Sequence, residues 1–316
     1  MRPWAGLIAL DLPRAGRVCS AAMTTAKTTL SPLAASSAVL AAQFSANAGA
    51  ALAKTLFASV GTSGVATLRI GLAALLLLAV VRPWRIRLDA QQWRYVLIYG
   101  VMLAGMNLCL YQAFQRLPLG VASAIEISGP LAVSMLSSRR WFDGVWLIVA
   151  IASLSLLLPS ETVSAPLDPV GILFGFGAAA CWALYIVFGN RVKHNASSAV
   201  TWGMLVAALI ALPMGIAQSG ALLVQPAVLL AGLCIACLSS IVPNSLDMVA
   251  LRNAPPKVFG LLSSAQPAVA ALIGLVVLGE HLGVAQWAAI VGVVIACAGC
   301  VITASNEQAS AAVVEP

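Results

Sequence analysis

The chain has 316 residues, of which 61% are hydrophobic and 9% charged, with a formal net charge of +7 and a mean hydropathy of +0.99. A soluble domain carries about 25% charged residues, so this chain cannot cover a water-facing surface of its size, and an ordinary soluble enzyme is excluded. Spanning helices need roughly 20 mostly apolar residues each, which leaves room for about ten.

Residues 1–30 hold Arg2, Arg14, Arg17 and Lys27 against a single acid, Asp11. The apolar run 4–10 is too short for a signal-peptide core and is followed at once by Asp11 and Pro13. This segment is read as a basic, disordered cytoplasmic tail, with Met23 as an alternative start. Apolar stretches then follow at 32–57, 64–81, 93–115, 120–137, 144–159, 169–190, 199–218, 227–251, 258–279 and 284–304. The expected fold is an all-α polytopic membrane protein of ten helices. A closed barrel would instead show alternation in segments about half as long. The connections are short, and residues 305–316 form a polar, Ala-rich tail.

Lys and Arg set the orientation. The connections after helices 2, 4, 6 and 8 carry Arg82, Arg85, Arg87 and Arg94, then Arg139 and Arg140, then Arg191 and Lys193, then Arg252 and Lys257. The alternate connections hold Arg116, with Lys54 near the end of helix 1, and the acids Glu161, Asp168 and Glu280. Both termini are thereby expected in the cytoplasm. The basic balance is a topology signal, and no nucleic-acid partner is expected.

An internal repeat is also present. Residues 116–133 line up with 253–270, pairing Pro118 with Pro255, Pro130 with Pro267, and Asn107 with Asn244; Trp146 and Trp287 match after a small insertion. Two five-helix units, 31–159 and 166–304, are expected. An odd number of helices per unit makes the repeats inverted, which suits alternating access with a solute site at their interface.

These runs also resemble a known family. They are 117–133 (LPLGVASAIEISGPLAV), 137–140 (SSRR), 181–187 (CWALYIV), 245–252 (SLDMVALR), 267–271 (PAVAA) and 278–280 (LGE). Together they resemble the drug/metabolite transporter superfamily with two EamA-type repeats, and within it the threonine/homoserine exporter subgroup. The resemblance covers roughly 31–304 and implies a multi-pass inner-membrane exporter of small hydrophilic solutes, amino acids first. Three positions depart from the family pattern: Gln266 stands where an acid often precedes the helix-9 proline, Asp247 where Glu is common, and Asn244 where the pattern has Tyr.

Ionisable residues inside spans are costly and mark pathways. Glu126 lies about 12 Å into helix 4 from its outer end, and Arg69 lies at a similar depth in helix 2. A buried Arg69–Glu126 pair is therefore geometrically allowed, beside a role for Glu126 in substrate or proton coupling. Asp247, in helix 8, is either a partner of Arg252 or a second coupling candidate. Gln43 and Asn47 share a face of helix 1, and Asn107, Tyr111 and Gln115 share one of helix 3. Trp182 and Tyr185 on helix 6, with Asn244 and Gln266, complete the substrate candidates; interhelical hydrogen bonding is the alternative use for each. Pro130 and Pro267 sit at equivalent places within helices 4 and 9, either as helix breaks bordering the site or as tolerated kinks.

Ala288, Gly292, Ala296 and Cys300 form a small-residue seam on helix 10, suited to packing within the bundle or in a homodimer. Cys234 and Cys237, and Cys297 and Cys300, have metal-like spacing but lie in apolar helices without nearby His, so no metal is expected and no cofactor either. No ATP-binding segment is present. The expected function is secondary export of small hydrophilic solutes, with protons as the coupling ion and the lipid bilayer as solvent. Efflux of other metabolites or drugs is the alternative. A membrane-embedded lipid-modifying enzyme would need loop-borne acids and His that these short connections lack. Reporter fusions test the orientation: those at Gln308 and after Asp143 should read cytoplasmic and one at Thr162 external. A C-terminus outside the cytoplasm would overturn it.

Overall fold

The computed structural model describes residues 32–85, 89–137, 141–157, 167–189, 196–253 and 256–314. The tail 1–30 and the connection residues Arg87, Arg139, Arg140, Glu161, Arg191 and Lys193 lie outside these residues, as do the side chains of Arg85, Arg252 and Lys257. Every regular element among the described residues is helical: α1 Pro32–Val81, α2 Ala90–Arg116, α3 Leu119–Glu126, α4 Ser128–Ser137, α5 Trp141–Ser155, α6 Pro169–Gly189, α7 Ala196–Ser219, α8 Pro226–Ala236, α9 Val242–Asn253, α10 Pro256–Ser263, α11 Gln266–Leu278 and α12 Val284–Val314. Among the described residues, seven helical stretches are long and apolar enough to cross a membrane. The exterior is apolar, with Leu75, Val80, Leu173, Leu230, Val276 and Val284 among its most exposed side chains. Monomeric soluble proteins rarely leave such patches open to water.

Several helices differ from the sequence expectation, each for a local reason. The apolar part of α1 runs Ser36–Val81, 46 residues. As one rod it would be about 69 Å long, more than twice the ~30 Å hydrocarbon core. It breaks at Gly61, whose φ of 74° is left-handed backbone. The end of α7 satisfies the groups freed there: Ser63 N–H donates to Gln218 Oε1 at 2.7 Å, and Ser219 Oγ donates to the Val60 carbonyl. Helix 4 of the sequence reading is two helices, α3 and α4, parted at Ile127, and helix 9 is likewise α10 and α11. Between α8 and α9 lies one π-helical turn, Cys237–Ile241. α12 continues to Val314, through residues expected as a tail, because 305–314 are rich in good helix formers and hold no Gly or Pro.

The main core joins Phe57, Val65, Tyr111, Leu117, Leu119, Ile125 and Ile273, drawn from α1, α2, α3 and α11. The seam on α12 is filled from within the chain. A Cβ added at Gly292 would meet Ser153, and one at Gly299 would meet Trp146, both on α5. Ala296, Cys297 and Cys300 pack in one cluster with Ala150 and Leu131. A second copy therefore cannot use the part of the seam from Gly292 to Cys300 without displacing α5, whereas Ala288 at its start is exposed.

Gly61→Ala should destabilise the fold. Backbone at φ 74° and ψ 163° lies in a region essentially confined to glycine and costs another residue roughly 1–3 kcal/mol, and the added methyl meets the Gln218 side chain. Thermal unfolding in detergent should show a lower midpoint than a Gly71→Ala control matched for expression, where an added methyl meets nothing; a wild-type midpoint would show that the corner carries no strain.

Candidate transport site

The site is built on two interrupted helices. Proline has no N–H, so Pro130 leaves the Glu126 carbonyl without its ladder donor, and Pro267 does the same for Ser263. In the repeat register Glu126 and Ser263 are equivalent positions. The interruptions are stitched alike. Ser128 Oγ donates to the Ile125 carbonyl at 2.6 Å, and Ser264 Oγ donates to the Leu261 carbonyl at 2.6 Å. Between them lies a cavity of about 230 Å³ whose lining includes Pro130, Ser134, Trp182, Ser263, Gln266 and Cys300. The Ser263 hydroxyl has no hydrogen-bond partner among the described residues. A larger groove of about 350 Å³ between the second half of α1 and α7 is apolar. Its Thr67 hydroxyl is already spent on the Ala211 carbonyl, so it offers a hydrophilic solute nothing to bind.

The ionisable candidates are not gathered at one point. Glu126, the last residue of α3, is 5% exposed and does not line the cavity. The direct pair that equal depth allows is not formed: among the described residues the ion pairs are Lys54–Glu280 and Arg116–Asp168. Arg69 Nη1 instead donates to the Tyr111 hydroxyl at 3.3 Å, with its guanidinium carbon 5.6 Å from the Tyr111 ring centre. Asp247 is half-buried on α9, and its Oδ1 has no partner among the described residues.

The neutral candidates divide in the same way. Trp182 and Gln266 line the cavity. Asn47 is buried and donates to the Gln43 carbonyl at 2.9 Å, leaving the Gln43 side chain uninvolved in that contact. Asn107 is buried and donates to the Leu103 carbonyl at 2.8 Å, with its Oδ1 unpartnered. Tyr111 is fully buried. Tyr185 meets Tyr99, hydroxyl to hydroxyl, at 3.1 Å. Gln115 and Asn244 are exposed, so the repeat mates Asn107 and Asn244 sit in unlike surroundings.

Three features were not anticipated. Gln112 Nε2 donates to Thr62 Oγ1 at 2.8 Å, joining α2 to α1. The π turn packs directly on α1: a Cβ on Gly49 would lie 2.8 Å from Ser239 N, and Ser45 Oγ donates to the Leu238 carbonyl at 2.7 Å. π turns recur at functional sites, and Pro243, which denies the Ser239 carbonyl its ladder partner, was the available signal. The third is a polar junction at one end of the bundle. Lys54 Nζ meets Glu280 Oε1 at 2.6 Å and donates to the Leu117 carbonyl at 2.7 Å. Glu280 Oε2 accepts the Leu119 N–H at 2.7 Å. A lone Lys inside an otherwise apolar segment was its signal, but nothing in the sequence named its partner. Nearby, the Val170 amide and then Arg116 hold the exposed Asp168 carboxyl below the usual range.

An apolar helical bundle with several spanning-length helices and a small cavity with a few polar side chains between broken ones has the build of a multi-pass membrane transporter. Comparison with known proteins makes this specific. The model of the EamA-like transporter family matches residues 169–303. The chain is 42% identical over 271 residues to the threonine/homoserine exporter RhtA of Escherichia coli K12, covering 85% of this chain and 92% of that one. It is 41% identical over 270 residues to the threonine/homoserine exporter RhtA of Salmonella typhimurium LT2, covering 85% and 92%. An uncharacterized transporter of Bacillus subtilis 168, YwfM, is 25% identical over 235 residues, covering 71% and 78%. One crystal structure of a protein shares the fold at a TM-score of 0.60 and 17% identity, over 88% of this chain and all (100%) of that one. The chain belongs to the EamA-like transporter family.

Proposed function

We propose that this chain is a secondary transporter of the inner membrane that exports small amino acids, with threonine and homoserine the first candidates. The observation that carries the reading is the small cavity, mostly apolar but holding Ser134, Ser263, Ser264 and Gln266, between two helix interruptions at repeat-equivalent positions. Its likeness to exporters with those printed substrates supports the choice of solute. At about 230 Å³ the cavity is smaller than the roughly 300–1,000 Å³ of drug-sized sites. At ~30 Å³ per water-sized group, it holds about eight non-hydrogen atoms, the scale of a small amino acid. That size argues against bulky drugs.

In this reading the bundle has ten spans. Seven helices are of spanning length; the first counts twice because of its break at Gly61, and two shorter apolar helices, Leu119–Ser134 and Gly144–Ser155, complete the set. They form two inverted five-helix repeats, with both termini in the cytoplasm as the Lys/Arg bias requires.

A zwitterion needs acceptors for its ammonium and donors for its carboxylate. The carbonyl freed by Pro267 belongs to Ser263, which lines the cavity, and with the Ser263 hydroxyl it supplies acceptors. The N-terminal end of α11, where Gln266 and Pro267 line or border the cavity, supplies the positive end of a helix dipole for the carboxylate. Trp182 forms an apolar wall. Glu126 lies outside the lining, one residue before the Ile127 interruption. It is therefore assigned to the proton and not to the solute. Protonation removes the cost of a bare charge in the bundle, so loading and unloading this carboxyl shifts the balance between two positions of the broken helix. Arg69, turned onto Tyr111, does not lock the carboxyl in an ion pair.

Uptake of labelled threonine into inverted vesicles under an imposed pH gradient tests this. Glu126→Gln should abolish gradient-driven uptake at matched protein level, and Glu126→Asp should retain part of it, because the titratable group survives. Equal gradient-dependent rates in wild type and Glu126→Gln would remove Glu126 from the mechanism, with Asp247 the next candidate.

A further inference from the structure

We propose that Lys54 and Glu280 form a closed latch at the outer face, which must open in each transport cycle to release the solute. The proposal rests on the orientation and transport function above and adds the gate to them. Lys54 stands on the first half of α1. Glu280 follows Gly279, whose left-handed φ of 66° ends α11 and turns the chain back, with Glu280 N–H bonded to the Gly274 carbonyl at 3.0 Å. The two residues are 226 positions apart and belong to opposite halves of the chain.

Between them lies the connection from α2 to α3. Lys54 holds its Leu117 carbonyl and Glu280 holds its Leu119 N–H. Four polar groups from three elements thus satisfy one another in a junction whose side chains are only 20% and 14% exposed. The Glu280 carboxylate also sits at the positive end of α3, where an anion is favoured.

The place of α3 turns a tie into a latch. All eight residues of α3 are buried; its first is gripped by Glu280 and its last is Glu126. Beyond Glu126 comes the interruption at Ile127, the natural hinge for a rigid half-helix. On its other side α3 presses on α11, where a Cβ on Gly120 would meet Ala271 at 2.5 Å. Outward opening must separate these elements, and Glu280 ties them together, accepting the Leu119 N–H of α3 while Lys54 of α1 holds its other carboxylate oxygen. The neighbouring pair Arg116–Asp168, with side chains 38% and 35% exposed, is solvated and holds no part of α3.

The test uses a cysteine-free background shown first to transport threonine in proteoliposomes. In Lys54→Cys/Glu280→Cys, a bifunctional, reductant-cleavable thiol reagent should stop transport, and cleavage should restore it. The same reagent should leave each single-cysteine variant active. A cross-linked protein that transports at the uncross-linked rate would overturn the latch and make the junction a permanent strut. A background that moves no amino acid would instead overturn the function on which the latch rests. If the double variant folds poorly, Glu280→Gln combined with Ser263→Cys gives a second readout. Loss of the ion pair should raise labelling of the cavity cysteine by an external, membrane-impermeant thiol reagent about tenfold, within the usual range for coupled conformational equilibria. Unchanged external labelling would overturn the proposal. Labelling of Lys54→Cys solely from the cytoplasmic face would refute the outer assignment, and the cross-linking outcome is read independently of it.

Discussion

In hydrocarbon no water can take up a free N–H or C=O, so every interruption of a helix in this bundle must find its partner inside the protein. The structure obeys that constraint at each place where a helix fails. At Gly61 the side chains of Gln218 and Ser219 take up the N–H and carbonyl of the broken ends. At the π turn Ser45 takes up the Leu238 carbonyl. At Ile127 and Ser264 the nearby serines take up carbonyls of the preceding turn. Of the two residues whose carbonyls Pro130 and Pro267 leave without a ladder donor, Ser263 lines the cavity and Glu126 does not.

The same constraint explains which parts of the fold were legible in the sequence. Apolar segments of spanning length are a demand of the solvent, and their positions follow from composition. Prolines carry their consequence with them: Pro130, Pro243 and Pro267 each mark a place where the ladder lacks a donor. Gly61 was harder. A run of small residues at 58–64 gives no sign that one residue alone makes the corner, because the groups that permit it, Gln218 and Ser219, arrive from more than 150 positions away.

Side-chain partnership was the least legible. Equal depth brought Arg69 and Glu126 together on paper, yet depth fixes one coordinate and leaves rotation about the helix axis free. Arg69 faces Tyr111. The repeat register equates Asn107 with Asn244, but one is buried and the other exposed, because register does not specify which neighbour covers a face. Lys54 and Glu280 looked like terminal charges of separate segments. Their union with the Leu117 carbonyl and the Leu119 N–H depends on three chain segments meeting at one end of the bundle. Among the polar candidates, Trp182 and Gln266 are the two that the structure brings to the cavity wall.

The account stands on the claim that the cavity between the broken helices is where the solute is held. Counterflow of labelled threonine and homoserine in proteoliposomes, comparing wild type with Ser263→Trp, reads that claim directly. The indole would occupy the cavity beside Trp182 without touching Glu126 or the Lys54–Glu280 junction. The expected result is saturable exchange of both amino acids by wild type and none by Ser263→Trp, with both proteins monodisperse and of equal yield. Exchange at the wild-type rate by the filled variant would contradict the account and move the solute path elsewhere in the bundle.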